Sequence, residues 1–404
     1  MHDCLRGATL SFTEGCLVGS AHAMVHALHS RFLAITVESR AMRAFSGKMA
    51  LESARIIRAL VRYRGNPVRT ALRYWQLYRY RRFSPDEIHF LKLLDPALSA
   101  RELAQVVSKE ELLAIQSRLN PPHLHTLTDD KIRFQAHCLA SGLPVPKIYA
   151  VYDPHDSTHR IPPTLRGLPC VESFMRDAPA TAFIVKPVDG VHGDGVVRLT
   201  RDAAAWHNNR GEVVTPQWLV MCMDGSDYTR WMFQELVRGH SDLGELSGTD
   251  ALQTVRVVTS VDQAGDAKIL AARLRLICGN KAHDNFNYGR TGNLIANLDV
   301  RTGVVQSVVG GSPERTEMVA MTRHPITGRE LTGFRVPQWD AAQSLVLAAA
   351  KAFLPLQAIG WDVAITPNEP CLIEANVTWD ALSGERSMGE IYRYLQTLSA
   401  PAFE

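Results

Sequence analysis

The chain has 404 residues, 46% apolar and 21% charged, with a formal net charge of +3. That length builds two or more domains with a large core. The composition is ordinary for a soluble globular chain, and near-neutrality excludes a molecule built as a whole around nucleic acid.

Seven scattered cysteines with no C-x-x-C pair indicate neither a disulfide framework nor a zinc site. Free thiols in a reducing cytoplasm are expected. No apolar run approaches the roughly 18 residues of a membrane-spanning helix. Asp3, and the lack of a basic-then-apolar start, argue against a signal peptide. Up to about Met49 the periodicity is weak and the segment reads as weakly structured.

From Leu51 to Leu119 the pattern is helical. Leu51–Arg62 forms one expected helix, broken by Gly65-Asn66-Pro67, and Val68–Phe83 a second. Ser84-Pro85-Asp86-Glu87 reads as a cap opening a third, and Ser99-Ala100-Arg101-Glu102 and Ser108-Lys109-Glu110-Glu111 open short ones. This region gathers Arg55, Arg58, Arg62, Arg64, Arg69, Arg73, Arg79, Arg81 and Arg82 between Tyr63, Tyr74, Trp75, Tyr78 and Tyr80. The reading adopted is a layer that packs its aromatics and solvates its arginines. Peripheral contact with an anionic membrane is the functional alternative.

Pro121-Pro122 marks a boundary. A helix is expected from Thr128-Asp129-Asp130-Lys131 through Ala140, then a strand within Leu143–Tyr152. Further strands are expected at Phe183–Pro187, Val196–Thr200, Trp218–Met223, Trp231–Leu236, Thr254–Val261, Lys268–Leu276 and Asn293–Asp299. Helices are expected at Trp339–Leu354 and Ser387–Leu398.

Phe183-Ile184-Val185-Lys186-Pro187 leads into the glycine-rich turn Asp189–Gly195 and a second strand. Glycines let backbone N–H groups converge on an anion, and a lysine beside them can neutralise phosphate. A plain flexible turn would look much the same, and no G-x-x-x-x-G-K-[ST] occurs. In Trp231–Val237, Gln234 and Glu235 interrupt an apolar strand and need partners, which an adenine edge would supply. An exposed edge strand is the plain alternative.

Arg256, Arg273 and Arg275 sit within strands, where they either attract phosphate or face solvent. The loop Ala282-His283-Asp284-Asn285-Phe286-Asn287-Tyr288-Gly289-Arg290 is a substrate-contact candidate.

Near the C-terminus, Gly360–Thr366 and Cys371–Asn376 flank a Pro/Asn-rich turn and read as a β-hairpin. A turn centred near Asn368 sets Asp362 opposite Glu374, while Glu374 and Asn376 share a face. Trp361, Val363, Ile373 and Ala375 would then face the core. The three oxygen donors suit Mg²⁺; solvent-facing acids are the plain alternative.

In order and spacing these motifs resemble the ATP-grasp superfamily. The nearest branch is the sugar-transfer-associated ATP-grasp proteins, through Leu252–Thr259, Asp284-Asn285-Phe286, His324–Gly328 and Val336–Trp339. The resemblance covers about residues 120 to 395. It implies an α+β fold of two lobes gripping ATP between antiparallel sheets, with an additional helical N-terminal region.

The expected layout is a weakly structured segment over 1–50, a basic helical region over 51–120, a pre-grasp part and small lobe over 121–235, and a large lobe with the metal site over 236–404. The resemblance also implies that Lys131 and Lys186 contact ATP phosphates and that the loop with Gly190, Gly193 and Gly195 closes over them. Gln234, Glu235, Leu236 and Val237 would line the adenine pocket, and His240 or Asp242 would meet the ribose. Asp362, Glu374 and Asn376 would hold Mg²⁺, and Arg256 and Arg275 would face the γ-phosphate, with Asp284 and Asn285 in the substrate loop. Relatives near this branch often carry paired glycines after Asp-Asn-Phe, where this chain has Asn287-Tyr288-Gly289-Arg290.

The implied activity is an ATP- and Mg-dependent ligase joining a small-molecule carboxylate to an amine or sugar-linked acceptor through an acyl-phosphate. A place in cell-surface glycan synthesis at the inner membrane face is the expected setting. A phosphotransferase acting on a sugar and a non-enzymatic anionic-surface binding module are the alternatives. Among His192, His240 and His283, none is singled out as a general base.

Overall fold

In the computed structural model the described residues are 57, 61, 66–156, 162–190, 195–203, 205–279, 281, 284–313, 317–380 and 388–399. The expectations for 1–50 and for Leu51–Arg62, Tyr63 and Arg64 fall outside them, apart from Ile57 and Val61. So do His192, Gly193, Ala282, His283 and Ser387. By its contacts the chain divides into residues 1–71 and 72–404. In the first unit Ile57, Val61 and Val68 are exposed helical residues. The second unit holds two β-sheets and their covering helices.

The helices are α1 (Pro67–Arg79), α2 (Pro85–Phe90), α3 (Ala100–Gln105), α4 (Lys109–Leu119), α5 (Thr126–Asp129), α6 (Lys131–Ala140), α7 (Leu168–Arg176), α8 (Pro216–Asp224), α9 (Ser241–Ser247), α10 (Trp339–Ala352) and α11 (Gly389–Leu398). Ser84, Ser99 and Ser108 each form a complete capping box with the glutamate three residues on. Each box satisfies two backbone donors that a helix start leaves bare. The second expected helix stops at Arg79, short of Phe83, where Arg82 turns the chain with φ 53. The arginines here are not simply solvated. Arg73 donates to the carbonyls of Asp95 (2.5 Å) and Leu98 (3.1 Å), Arg81 to Val106 O (2.6 Å) and Glu111, and Arg82 pairs with Glu110.

The smaller sheet has the order β2-β1-β6-β3-β4-β5. Its strands are β1 (Ile148–Tyr152), β2 (Thr164–Leu165), β3 (Ala182–Pro187), β4 (Val197–Arg201), β5 (Trp206–His207) and β6 (Trp231–Glu235). Only β1 and β2 are parallel. Phe183, Phe233, Trp206, Val171 and Met223 fill its core against α7 and α8. Trp218–Met223, expected as a strand, lies instead in α8. Thr215 Oγ accepts from the Trp218 N–H (3.2 Å), Pro216 opens the helix, and Leu219 and Met223 are buried one turn apart. Capping outweighed the apolar run.

The larger sheet is antiparallel, in the order β11-β10-β9-β8-β7-β12-β13. Its strands are β7 (Thr254–Val261), β8 (Ala267–Leu276), β9 (Leu294–Leu298), β10 (Val305–Gly311), β11 (Met318–Ala320), β12 (Ala358–Ala364) and β13 (Cys371–Asn376). One face is apolar throughout: Val255, Val257, Leu274, Ala296, Trp361 and Val363 pack on Phe134, Trp339 and Phe353 from α6 and α10. The other face is apolar only at one end, where Val258 and Ala358 lie under Leu112, Ile115, Leu119, Trp379 and Leu395. Asn120 seals that end, its amide bonding Ala358 and Val377. Side chains alternate across a strand, so the residues between the core-facing ones must emerge on this second face. They are charged.

Cys138, Cys170, Cys222, Cys278 and Cys371 are free thiols. No helix among the described residues is long and apolar enough to cross a membrane.

Candidate active site

Strand register assembles the site. Glu374 pairs with Asp362, Asp362 with Arg256, Arg256 with Arg273, Arg273 with Asn297 and Asn297 with Ser307. Directly opposed residues of antiparallel strands point the same way, so six strands contribute one transverse polar row. Arg275 lies two residues beyond Arg273 on the same face.

The expected pairing of Asp362 with Glu374 is the observed register. A β-bulge follows it: Asp362 pairs with Glu374 but Val363 pairs with Leu372, leaving Ile373 as the extra residue. Ile373, expected in the core, therefore lines the cleft beside Glu374, and Leu372 takes the core position.

Asp362 is buried and doubly held. Arg256 grips it through Nε and through Nη2 (2.9 Å to Oδ2), and Arg275 Nη1 reaches Oδ2 at 3.3 Å. Burial alone would push this carboxyl up, but the two guanidiniums and the Asn376 amide outweigh it and hold it below the ordinary value. Burial would also lower the Arg256 pKa, and Asp362 and Glu374 more than reverse that. Asn376 additionally donates to Gly360 O (3.2 Å).

The lysines reach this row from the other side. Asp130 caps α6 by accepting from Ile132 N and Arg133 N, and pairs with Arg230 (3.0 Å). That cap sets Lys131 on the first turn, where Nζ donates to Gly190 O (2.6 Å) and lies 3.9 Å from Glu374. Lys186, near the end of β3, has its pKa lowered to about 8. Burial strips its water and Lys131 repels it, more than Glu374 and Asp362 restore. Gly195 (φ 72) lies so near Trp231 that a Cβ would come within 2.8 Å of the ring.

Between the sheets lies a cleft of about 1270 Å³. Lys186, Gln234, Glu235, Leu236, Val237, His240, Arg256, Arg275, Asp284, Asn285, Asp362, Glu374 and Asn376 all line it. Gln234 is buried, while Glu235 is exposed and accepts from Lys147 N (3.1 Å). Beyond Glu235 the chain leaves the sheet and runs extended along the cleft. His240 caps α9, its ring accepting from Asp242 N (3.2 Å). Asp242 turns towards His240 and does not line the cleft. Asp284 accepts from Thr254 N (2.8 Å) and Oγ1 (2.6 Å) and lies 3.6 Å from Arg275.

Sequence reasoning missed Ile373, which only the bulge exposes. It also missed the Arg198–Asp250 pair (3.1 Å), which links β4 to the loop before β7 across the cleft, and Thr378 and Asp380 at its far end.

The donor set suits a hard cation. Glu374, Asp362 and Asn376 offer oxygens in one cleft beside two lysines. Among the described residues no three His, Cys, Asp or Glu side chains gather as a metal site. Here the third donor is an amide.

A family model described as sugar-transfer associated ATP-grasp matches residues 113–388. Similar solved structures include a biotin carboxylase from Campylobacter jejuni, in a complex titled with β-γ-ATP: 11% identity, 70% of this chain and 48% of that one covered, TM-score 0.40. An L-amino acid ligase from Bacillus licheniformis gives 13%, 69%, 49% and 0.35. D-alanine–D-alanine ligase from Bacillus anthracis gives 10%, 68%, 67% and 0.37. The chain spans about half the length of the first two. No curated protein matches it.

Proposed function

This chain belongs to the sugar-transfer associated ATP-grasp family, and we propose that it is an ATP- and Mg-dependent ligase joining a small-molecule carboxylate to an amine or similar nucleophile. The observation that supports this reading best is the convergence of Lys131 and Lys186 on Glu374, whose row with Asp362 and Asn376 lines the cleft together with Lys186.

A carboxylate acylates poorly at neutral pH. Attack of its oxygen on the γ-phosphorus of ATP expels ADP and gives an acyl-phosphate, from which the acceptor displaces phosphate. Lys186 and Lys131 would hold the phosphates as point charges. Arg275, released from Asp362 by a competing anion, would meet the transferred phosphoryl group. Gln234 and the extended Leu236–Val237 backbone would read the adenine edge. Glu374, Asp362 and Asn376 would hold Mg²⁺, which supplies charge neutralisation at the phosphates when bound. The loop at Gly190, tied to Lys131, would cover the phosphates and exclude water.

The proposed setting is cell-surface glycan synthesis. Peripheral contact with the inner face of the membrane fits α1 and the turn after it, where Leu72, Trp75, Tyr78 and Tyr80 are exposed and Arg79 is near.

Hydroxylamine tests the chemistry. With Mg-ATP and a carboxylate panel, a hydroxamate supports the ligase, and a stable phosphorylated product with no hydroxamate replaces it with a phosphotransferase. Loss of ADP formation in both Lys186→Ala and Glu374→Ala is required by either reading.

A further inference from the structure

Between β8 and β9 the chain makes a turn that its own residues disfavour. Asn287, Tyr288 and Gly289 follow one another at φ 41, 53 and 72. Glycine enters this region freely and asparagine at modest cost, but a tyrosine does not, so something outside the loop must hold Tyr288 there.

The holders lie on α2, some 200 residues away in sequence. Arg290 Nη2 reaches Asp86 Oδ2 at 2.7 Å, and the same guanidinium lies 5.9 Å from the Tyr288 ring centre. Phe90 meets Phe286 and Tyr288 edge-on, with both centroids at 5.8 Å. Gly289 is pressed so close to Gly311 that a Cβ would come within 2.5 Å of its Cα.

This turn follows Asp284 and Asn285, which line the cleft beside Arg275. The same helical layer also reaches a second residue of the cleft wall. Lys109 N donates to Glu87 Oε1 (2.7 Å), and the Lys109 amine pairs with Asp380 (3.1 Å), which lines the cleft's far end. Tyr288 lies near both contacts. Burial, then the Glu87, Asp380 and Asp86 carboxylates around it, raise its hydroxyl pKa.

We infer that Asp86, Phe90 and Arg290 are positioning residues: they fix the Asn287–Gly289 turn so that Asp284 and Asn285 face the non-nucleotide substrate, making the helical layer half of that substrate's subsite. The inference rests on the ligase reading above. It explains why this chain carries a bulky Asn-Tyr-Gly-Arg turn at a substrate wall. The turn is shaped by an outside clamp instead of by glycine freedom.

The test uses the full chain with Asp86→Asn, Arg290→Lys and the reversed pair Asp86→Arg/Arg290→Asp. Both Asp86 and Arg290 are partly exposed, so these variants should stay folded. Amide exchange in 284–292 should rise about tenfold in Asp86→Asn, with β12 and β13 unmoved, and fall back in the reversed pair. The thermal shift given by Mg²⁺ with the non-hydrolysable analogue AMP-PNP should not change. With the carboxylate that hydroxylamine trapping selects, KM for that carboxylate should rise about tenfold while KM for ATP holds.

Unchanged exchange in 284–292, or a KM for ATP that moves in step with the other, overturns the inference while leaving the nucleotide site standing. The absence of an AMP-PNP shift in the wild type overturns the ligase reading, and with it the loop's role as a substrate wall.

Discussion

Replacing Lys186 with methionine should make the free protein more stable and blind to nucleotide. The lysine's fall from 10.5 to about 8 equals roughly 3 kcal/mol of penalty on its charged form. Lys186 lines an open cleft, so water there softens the effect, and a gain of about 1–2 kcal/mol at pH 7 is the working figure. Methionine keeps the stem's packing and removes the charge.

The sign follows from linkage. A lysine whose folded pKa is depressed destabilises the fold while both states are charged, below about pH 8. The penalty fades between the folded and unfolded pKa values and is gone above 10.5. The gain from Lys186→Met should therefore be full at pH 7 and fall to about half of that by pH 10. Urea unfolding of both proteins at the two pH values measures it. A parallel melt with Mg²⁺ and AMP-PNP should show the ligand shift in the wild type only. A variant less stable than wild type at pH 7, or one that keeps the ligand shift, would refute the view that this lysine is held at a cost for phosphate.

Asp362→Asn should cost about 3–5 kcal/mol in urea unfolding, because it strands Arg256 and Arg275 beside a neutral amide in a buried row. Glu374→Gln should cost less than about 1 kcal/mol and still lose the Mg-nucleotide shift, since Glu374 is a third exposed and meets Lys131 only at 3.9 Å. The depressed Asp362 carboxyl contributes stability that is present above its unfolded value and lost as pH falls through the lower folded one. Acid titration should therefore show an extra loss as pH falls below about 4 that Asp362→Asn lacks. Gly289→Ala should cost roughly 2–4 kcal/mol by thermal denaturation, because the new methyl meets the Gly311 backbone and the turn keeps its positive φ.

Much of the site was legible because its information is local. The Asp362–Glu374 register follows from a short hairpin whose turn residues are plain in the sequence. The three serine caps carry their glutamates three positions on. Less legible was whatever depends on which strands become neighbours. Arg256, Arg273 and Asp362 sit on three strands, one letter on each, and only register shows that they form one row. The bulge that moves Ile373 into the cleft leaves no glycine or proline to announce it. Trp218–Met223 was misread because an apolar run fits either a strand or a buried helix. The Thr215-Pro216 start, which decides the matter, stood just upstream. Nothing within Asp284–Arg290 says that its shape is imposed by Asp86 and Phe90.

The single surplus residue in β13 has a consequence for how this hairpin can change length. One residue deleted between Leu372 and Glu374 would restore a regular ladder, keep Leu372 opposite Val363 and Glu374 opposite Asp362, and remove the apolar Ile373 side chain from the cleft wall. Any other single insertion or deletion within β13 would flip the faces of the residues beyond it, so further changes of length belong at the Pro367–Pro370 tip.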